Sequence, residues 1–487
     1  MGHPKDATRY QRHKQDPTAM RSAAITAAET AFDDGPFLSQ FAALVAAGTD
    51  SVAKGATPSL YAYLRELICP RLEAMGAICR IIDNPVAGGP PFLIAERHEG
   101  DDLPTVLTYG HGDTVPPMEG QWEGGRAPLA LTTDGNCLFG RGTADNKGQH
   151  HVNLTALEAV LATRGRLGFN LRVLIEMGEE AGSPGLHELC LAERNALRAD
   201  VLIASDGPRL MADQPLIFGG ARGCIGFSLN VDLRSGAHHS GNWGGLLADP
   251  SIILSHALAT ITDARGALRI PEWRPDSLTP DVRAMIATCA VAEPERGPAI
   301  DHDWGEPDLT TAEKVFGWNS FAVLALEAGN AARPVNAIQP RAAAHCQLRF
   351  VVGTDVAQVL PALRRHLDEA GFPMVEISGD GEPYFRATRL DPNDPWARFA
   401  AQSVEATTGT RPAIAPNLGG SLPNEEFAEV LGMPTIWVPH SYPGCSQHAP
   451  NEHALASVLR SGLGIMAGLF WDVGAGDDGH PYRARRA

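Results

Sequence analysis

The chain has 487 residues, 44% of them hydrophobic and 20% charged, which excludes a disordered tail, a collagen or a disulfide-stapled miniprotein. At about 150 residues per domain, this length fits two or three domains that each bury a core. Lys plus Arg number 40 against 57 Asp plus Glu, a net charge of −17, and such a surface argues against nucleic acid or anionic lipid as a partner.

The first fifteen residues read as frayed, and the polar opening lacks the apolar core of a signal peptide. Phe37, Leu38, Phe41, Leu44 and Val45 recur at helical spacing, and a second helix is predicted over 59–74. Thr105–Tyr109, Leu171–Ile175 and Val201–Ala204 read as strands buried on both faces, with helices over 147–163 and 186–198 between them. That rhythm predicts an α/β layer with a mostly parallel sheet. Ile225–Val231 alternates apolar and polar residues, a helix follows over 251–263, and the Pro- and charge-rich stretch 265–318 reads as an inserted loop region. Phe321–Glu327 and Ala343–Val352 read as strands, Val356–Ala370 as an amphipathic helix and Met374–Ile377 as a short strand. The order β-α-β-β-α-β predicts a ferredoxin-like α+β domain, 219–388, inserted into a larger domain of 1–218 and 389–487. The larger domain closes with a helix, a Gly-rich loop, the strand Thr435–Val438 and a helix over 454–471.

No apolar run reaches the roughly 18 to 20 residues of a membrane span. Eight Cys are scattered without a CxxC, so reduced, buried thiols and a cytoplasmic address are expected. The basic 482–486 tail reads as solvated, and no glycine-rich stretch has nucleotide-loop spacing.

Chemistry-bearing residues follow the strands. TVLTYG runs into His111-Gly-Asp113, LRVLIEMG into Glu179-Glu180, VLIAS into Asp206, and PTIWVPHSYPGCSQ leads to His448. The carboxyl ends of parallel strands form one ligand-binding edge. Asp145 lies just ahead of the 147–163 helix, where backbone N–H groups favour an anion. Two imidazoles and three carboxylates converging there, with no Cys, suit two divalent ions of the Zn, Mn or Co type bridged by a shared carboxylate.

YGHGDTVPP, GRGTADNKGQ, EMGEEAGSPG and ASDG resemble the motif series of the M20 co-catalytic metallopeptidases, over about residues 38–470. The resemblance implies a three-layer catalytic domain with an inserted lid through which two copies dimerise. It implies two divalent ions per subunit, with zinc expected. His111 and Asp206 would hold one, Glu180 and His448 the other, and Asp145 would bridge them. Asp113 would orient His111, and Glu179 would be the general base. The loop Ala237–Gly245 resembles the HSGxxGG loop of the carnosinase-like branch, so His239 would stabilise the oxyanion in the partner subunit's site. Asn336, Arg349, Gly420 and Ser421 match positions that contact substrate, and an Arg can clamp a carboxylate. Dipeptidases of that branch carry Arg in R-x-G-G-S, where this chain has Asn417, so that group for the substrate carboxylate is missing or replaced. The implied reaction is amide hydrolysis in a small peptide or N-acyl amino acid. Cleavage of another C–N bond and a silent binding protein on the same fold are the alternatives.

Overall fold

The computed structural model describes residues 17–291, 299–379, 381, 384–391, 393–476 and 480–484. The expected frayed start, together with Arg485 and Arg486 of the basic tail, lies outside the described residues.

Eight strands form the large sheet, in the spatial order Ile78–Ile82, Phe92–Arg97, Asn170–Glu176, Thr105–His111, Val201–Ala204, Thr435–Trp437, Leu216–Phe218 and Ala413–Ala415. Its four central strands, from Asn170–Glu176 to Thr435–Trp437, all run parallel. Alternate side chains serve two cores, because successive residues of a strand face opposite ways. Val173, Ile175, Val201 and Ile203 join one core, and Leu174, Leu202 and Ala204 join the other. A strand apolar on both faces needs cover on both faces. Helices Lys147–Arg164, Ala456–Ala475 and Pro17–Asp33 pack together on one side. The other core takes Leu186 and Leu189, from the helix Leu186–Ala192. The expected single helix over 186–198 breaks at Glu193 into this helix and Arg194–Leu197. Gly110 marks a close approach, since a Cβ there would lie 2.5 Å from His150 Cβ.

A second sheet of four antiparallel strands has the order Ser320–Glu327, Arg341–Phe350, Gly223–Asp232, Glu376–Ser378. Helices Pro250–Ile261 and Val359–Glu369 contribute Leu254, Ala257, Leu363 and Leu367 to the core it shares with Ile225, Leu229, Val231 and Leu348. This is the expected ferredoxin-like order, with the strands second, third, first and fourth in sequence lying side by side.

The 265–318 stretch departs from the loop expected there. Pro280–Ile286 and Thr311–Phe316 are helices, capped by Thr279 and by a Thr310–Glu313 capping box. Val282, Ile286, Ala312 and Phe316 are buried in the core beneath the large sheet, beside Leu418 and Leu422. The inserted stretch therefore reaches back onto the larger layer.

Candidate metal centre

Each central strand leads into a segment that carries a polar side chain, and the shared direction of the four strands brings these segments together. His111 closes Thr105–His111, Glu179 and Glu180 form the first turn after Asn170–Glu176, and Asp206 follows Val201–Ala204. His448 lies in the loop after Thr435–Trp437 and adopts φ 60°, a left-handed conformation that a non-glycine residue takes at an energetic cost. Asp145 stands between the two imidazoles. Its Oδ1 is 2.9 Å from His111 Nε2, and its Oδ2 is 3.1 Å from His448 Nε2. Glu180 Oε2 is 3.0 Å from His448 Nε2, and Asp206 Oδ2 is 3.8 Å from His111 Nε2. Two donor groups result, His111–Asp145–Asp206 and Asp145–Glu180–His448, with Asp145 in both. Glu179 Oε2 lies 3.9 Å from His111 Nε2.

Asp145 does not use the adjacent helix amides, contrary to the expectation drawn from its position. Asn146 is the cap of that helix and makes no side-chain cap bond, while the Asp145 carboxylate faces the imidazoles.

The electrostatics follow from crowding acids in a dry place. Burial lifts Glu180 to about 7 and Asp206 to about 6, and Asp145 adds to both rises. Burial lifts Glu179 well above the usual carboxylate range, against the pull of His111. For Asp145 burial acts upward too, but hydrogen bonds from His111 and His448 hold it far below that range. Bonds to Asp145 and Glu180 raise His448 to about 10. Carboxylates crowded in low dielectric favour a bound cation. Nitrogen and oxygen donors without sulfur fit divalent ions of the zinc, manganese or cobalt type.

Asp113 supports this centre from behind. Its Oδ1 lies 3.3 Å from His111 Nδ1, and its two oxygens accept the backbone N–H groups of Glu179 and Glu180 at 3.2 and 3.1 Å. Sequence reading missed Glu452, which is fully buried. Its Oε1 accepts the amides of Ala144 and Asp145, and its Oε2 accepts Arg141 Nη1 and the Gly142 amide. Glu452 thus ties the loop of Asp145 to the chain just past His448. The available signal was an acid a few residues beyond a candidate ligand, in HAPNEH.

The centre opens into a cavity of about 940 Å³ whose walls include Arg349, Gly420 and Ser421. Arg349 Nη1 donates to Ser421 Oγ at 2.9 Å. Asn417 is buried, and its side chain donates to the Leu418 carbonyl. His239 and Asn336 are absent from the cavity wall. Their strands adjoin instead: His239 pairs with Ala337, and the Ser240 amide donates to the Asn336 carbonyl. Both are exposed.

The sequence model of peptidase family M20/M25/M40 matches residues 107–472. The chain is similar to the Beta-Ala-His dipeptidase of Homo sapiens, 34% identical over 401 residues, covering 79% of this chain and 78% of that protein. It is also similar to the Cysteinylglycine-S-conjugate dipeptidase of Corynebacterium striatum, 27% identical over 73% of this chain and 77% of that one. The crystal structure of human carnosine dipeptidase 1 shares the fold, with a TM-score of 0.77 at 23% identity, covering 94% of this chain and 100% of that one.

Proposed function

The chain belongs to peptidase family M20/M25/M40, and from that premise we propose that it hydrolyses the amide bond of a small peptide or N-acyl amino acid. The observation that carries this reading is Asp145, one carboxylate shared by two donor groups, with the unshared Glu179 beside them. His111, Asp145 and Asp206 would hold one divalent ion, and Asp145, Glu180 and His448 the other, with zinc as the native metal. When bound, these ions supply Lewis acidity at the scissile carbonyl and lower the pKa of water. Glu179 takes the proton of the attacking water on its carboxylate and passes it to the leaving amine. Asp113 fixes the His111 ring and, through two amides, the turn that carries Glu179. Arg349 and Ser421 bind the substrate carboxylate in place of the Arg that Asn417 replaces.

His239 and Asn336 complete the site of a second copy in a homodimer formed through the lid. Their exposure away from their own cavity supports this reading. So does the edge strand Ser320–Glu327, on which Val323, Leu324 and Leu326 are exposed, since an open apolar edge invites pairing. Among the described residues, no helix is long and apolar enough to cross a membrane. The cytoplasm is the proposed address, in keeping with eight cysteines that form no disulfide with one another. The proposed division of the chain is 1–218 with 389–487, and 219–388.

Metal content and turnover on a panel of dipeptides and N-acyl amino acids test the reading. Two equivalents of metal with hydrolysis that a chelator abolishes and added metal restores is the expected result. Full metal loading with no hydrolysis on the whole panel would leave a binding protein on this fold.

A further inference from the structure

The cavity has a wall that the catalytic residues do not explain. It begins beside Asp206, where Gly207 has φ 66° and a Cβ would lie 2.9 Å from Leu418 Cδ2. Next comes Gly419, where a Cβ would lie 2.7 Å from Val315 Cγ1 and 3.9 Å from Phe316 Cε1. The wall ends at Ser421, held by Arg349. Leu418 thus packs against Gly207 and Val315 against Gly419, and with Phe316 they line the cavity that also holds Asp206 and Arg349. Val291, Ile300 and Leu422 extend the same apolar lining. Arg209 also lines the cavity; its Nε and Nη1 donate to the Pro439 and Ala212 carbonyls, and its Nη2 is buried without a hydrogen-bond partner.

This wall is rigid by construction. Thr311–Phe316 starts in a capping box whose Glu313 also pairs with Arg283. Phe316 sits in the core with Val282, Ile286 and Leu422. An apolar wall held in place offers its contact area without an ordering cost at binding.

We propose that this chain selects substrates whose carboxyl-terminal residue bears a bulky apolar side chain, and that Val315 and Leu418, backed by the buried Phe316, form the surface that selects it. The inference rests on the hydrolase reading above and names the substrate class of that site. A carboxylate bound at Arg349 and Ser421, with its amide nitrogen towards the acid cluster, lays its own side chain along this wall. Glycine would leave the wall wet. A second carboxylate laid along Val315 and Leu418 would be desolvated by apolar atoms.

The test measures kcat/KM of the metal-loaded enzyme on Ala-Gly, Ala-Leu, Ala-Phe and Ala-Glu, and on the four matching N-acetyl amino acids. Leu and Phe should exceed Gly and Glu by about ten- to a hundredfold, the worth of burying one such side chain. Val315→Asp, at a half-buried position, should lower the Leu-to-Gly ratio at least tenfold in a protein whose circular dichroism and metal content match the parent. Equal or better turnover of the Gly or Glu substrates overturns the inference and leaves the hydrolase reading standing. An unchanged ratio in Val315→Asp overturns the assignment of the wall. No turnover of all eight compounds with two metals bound overturns the hydrolase reading itself, and this inference with it.

Discussion

Arg349 Nη1 donates to Ser421 Oγ at 2.9 Å, a bond between a strand of the four-stranded sheet and the Gly-Gly-Ser loop of the larger layer. On the proposed reading, a substrate carboxylate would be clamped by both parts of the molecule at once. Arg349→Gln should cost about 10-fold to 100-fold in kcat/KM, mostly as a higher KM, since a charge-assisted hydrogen bond is worth about 1.5–3 kcal/mol. The parent enzyme should prefer a free carboxyl terminus to the corresponding amide, and the variant should lose that preference. Steady-state kinetics on the acid and amide of one peptide check both points.

Glu179→Gln should keep two equivalents of metal and lose about 10²-fold or more in kcat. The substitution removes a proton acceptor and none of the five side chains in the two donor groups. Metal analysis alongside single-turnover kinetics checks it. A variant with parental kcat would move the base elsewhere.

The ligand candidates were legible because each apolar strand run stops at a polar residue, as TVLTYG stops at His111 and VLIAS at Asp206. Parallel strands then fix the shared edge. Glu452 was not legible in that way, because its role depends on the loop of residues 141–145 folding onto it, a long-range contact with no periodic signature. The helix Pro17–Asp33 was missed for a different reason. Its buried positions include Ala24 and Ala28, and small residues give little amphipathic contrast. Helices Pro280–Ile286 and Thr311–Phe316 are too short to show two full apolar turns, although Thr310 and Glu313 spelled out a cap.

Asp145→Ala should scramble both metal positions at once. It deletes the only residue common to the two donor groups, and it leaves His111 and His448 without their shared acceptor. Metal content should fall well below two equivalents after dialysis, and activity with it. Two full equivalents would end the bridging role.

Glu425 offers a pH-dependent test away from the metal centre. Burial raises its carboxyl to about 7 from 4.5, beyond what its bond from the Arg386 amide recovers. Its Oε2 is buried without a hydrogen-bond partner. The folded state therefore binds this proton more tightly than the unfolded chain does. That contribution to stability is complete below pH 4.5 and is lost as pH rises through about 7. Glu425→Gln should be more stable than the parent at pH 8, by on the order of 1–3 kcal/mol, and the advantage should vanish near pH 4. Unfolding curves at the two pH values decide it.

His239 gives the test of the dimer. If it completes the partner's site, each centre needs Glu179 from one chain and His239 from the other. His239→Ala homodimers should then be poor enzymes that still bind two metals, because one oxyanion donor is worth about 10²–10³ in kcat. Glu179→Gln homodimers should be equally poor. Subunit exchange between the two variants creates heterodimers with one chain of each kind. In these, the site on the His239→Ala chain keeps its own Glu179 and borrows His239 from its neighbour. The other site has lost both groups. Activity should return towards half of the parental value per heterodimer, read after exchange is confirmed by mass spectrometry. Complete exchange without recovered activity would confine His239 to its own chain, where it stands exposed and off the cavity wall, and the proposed dimeric site would fall.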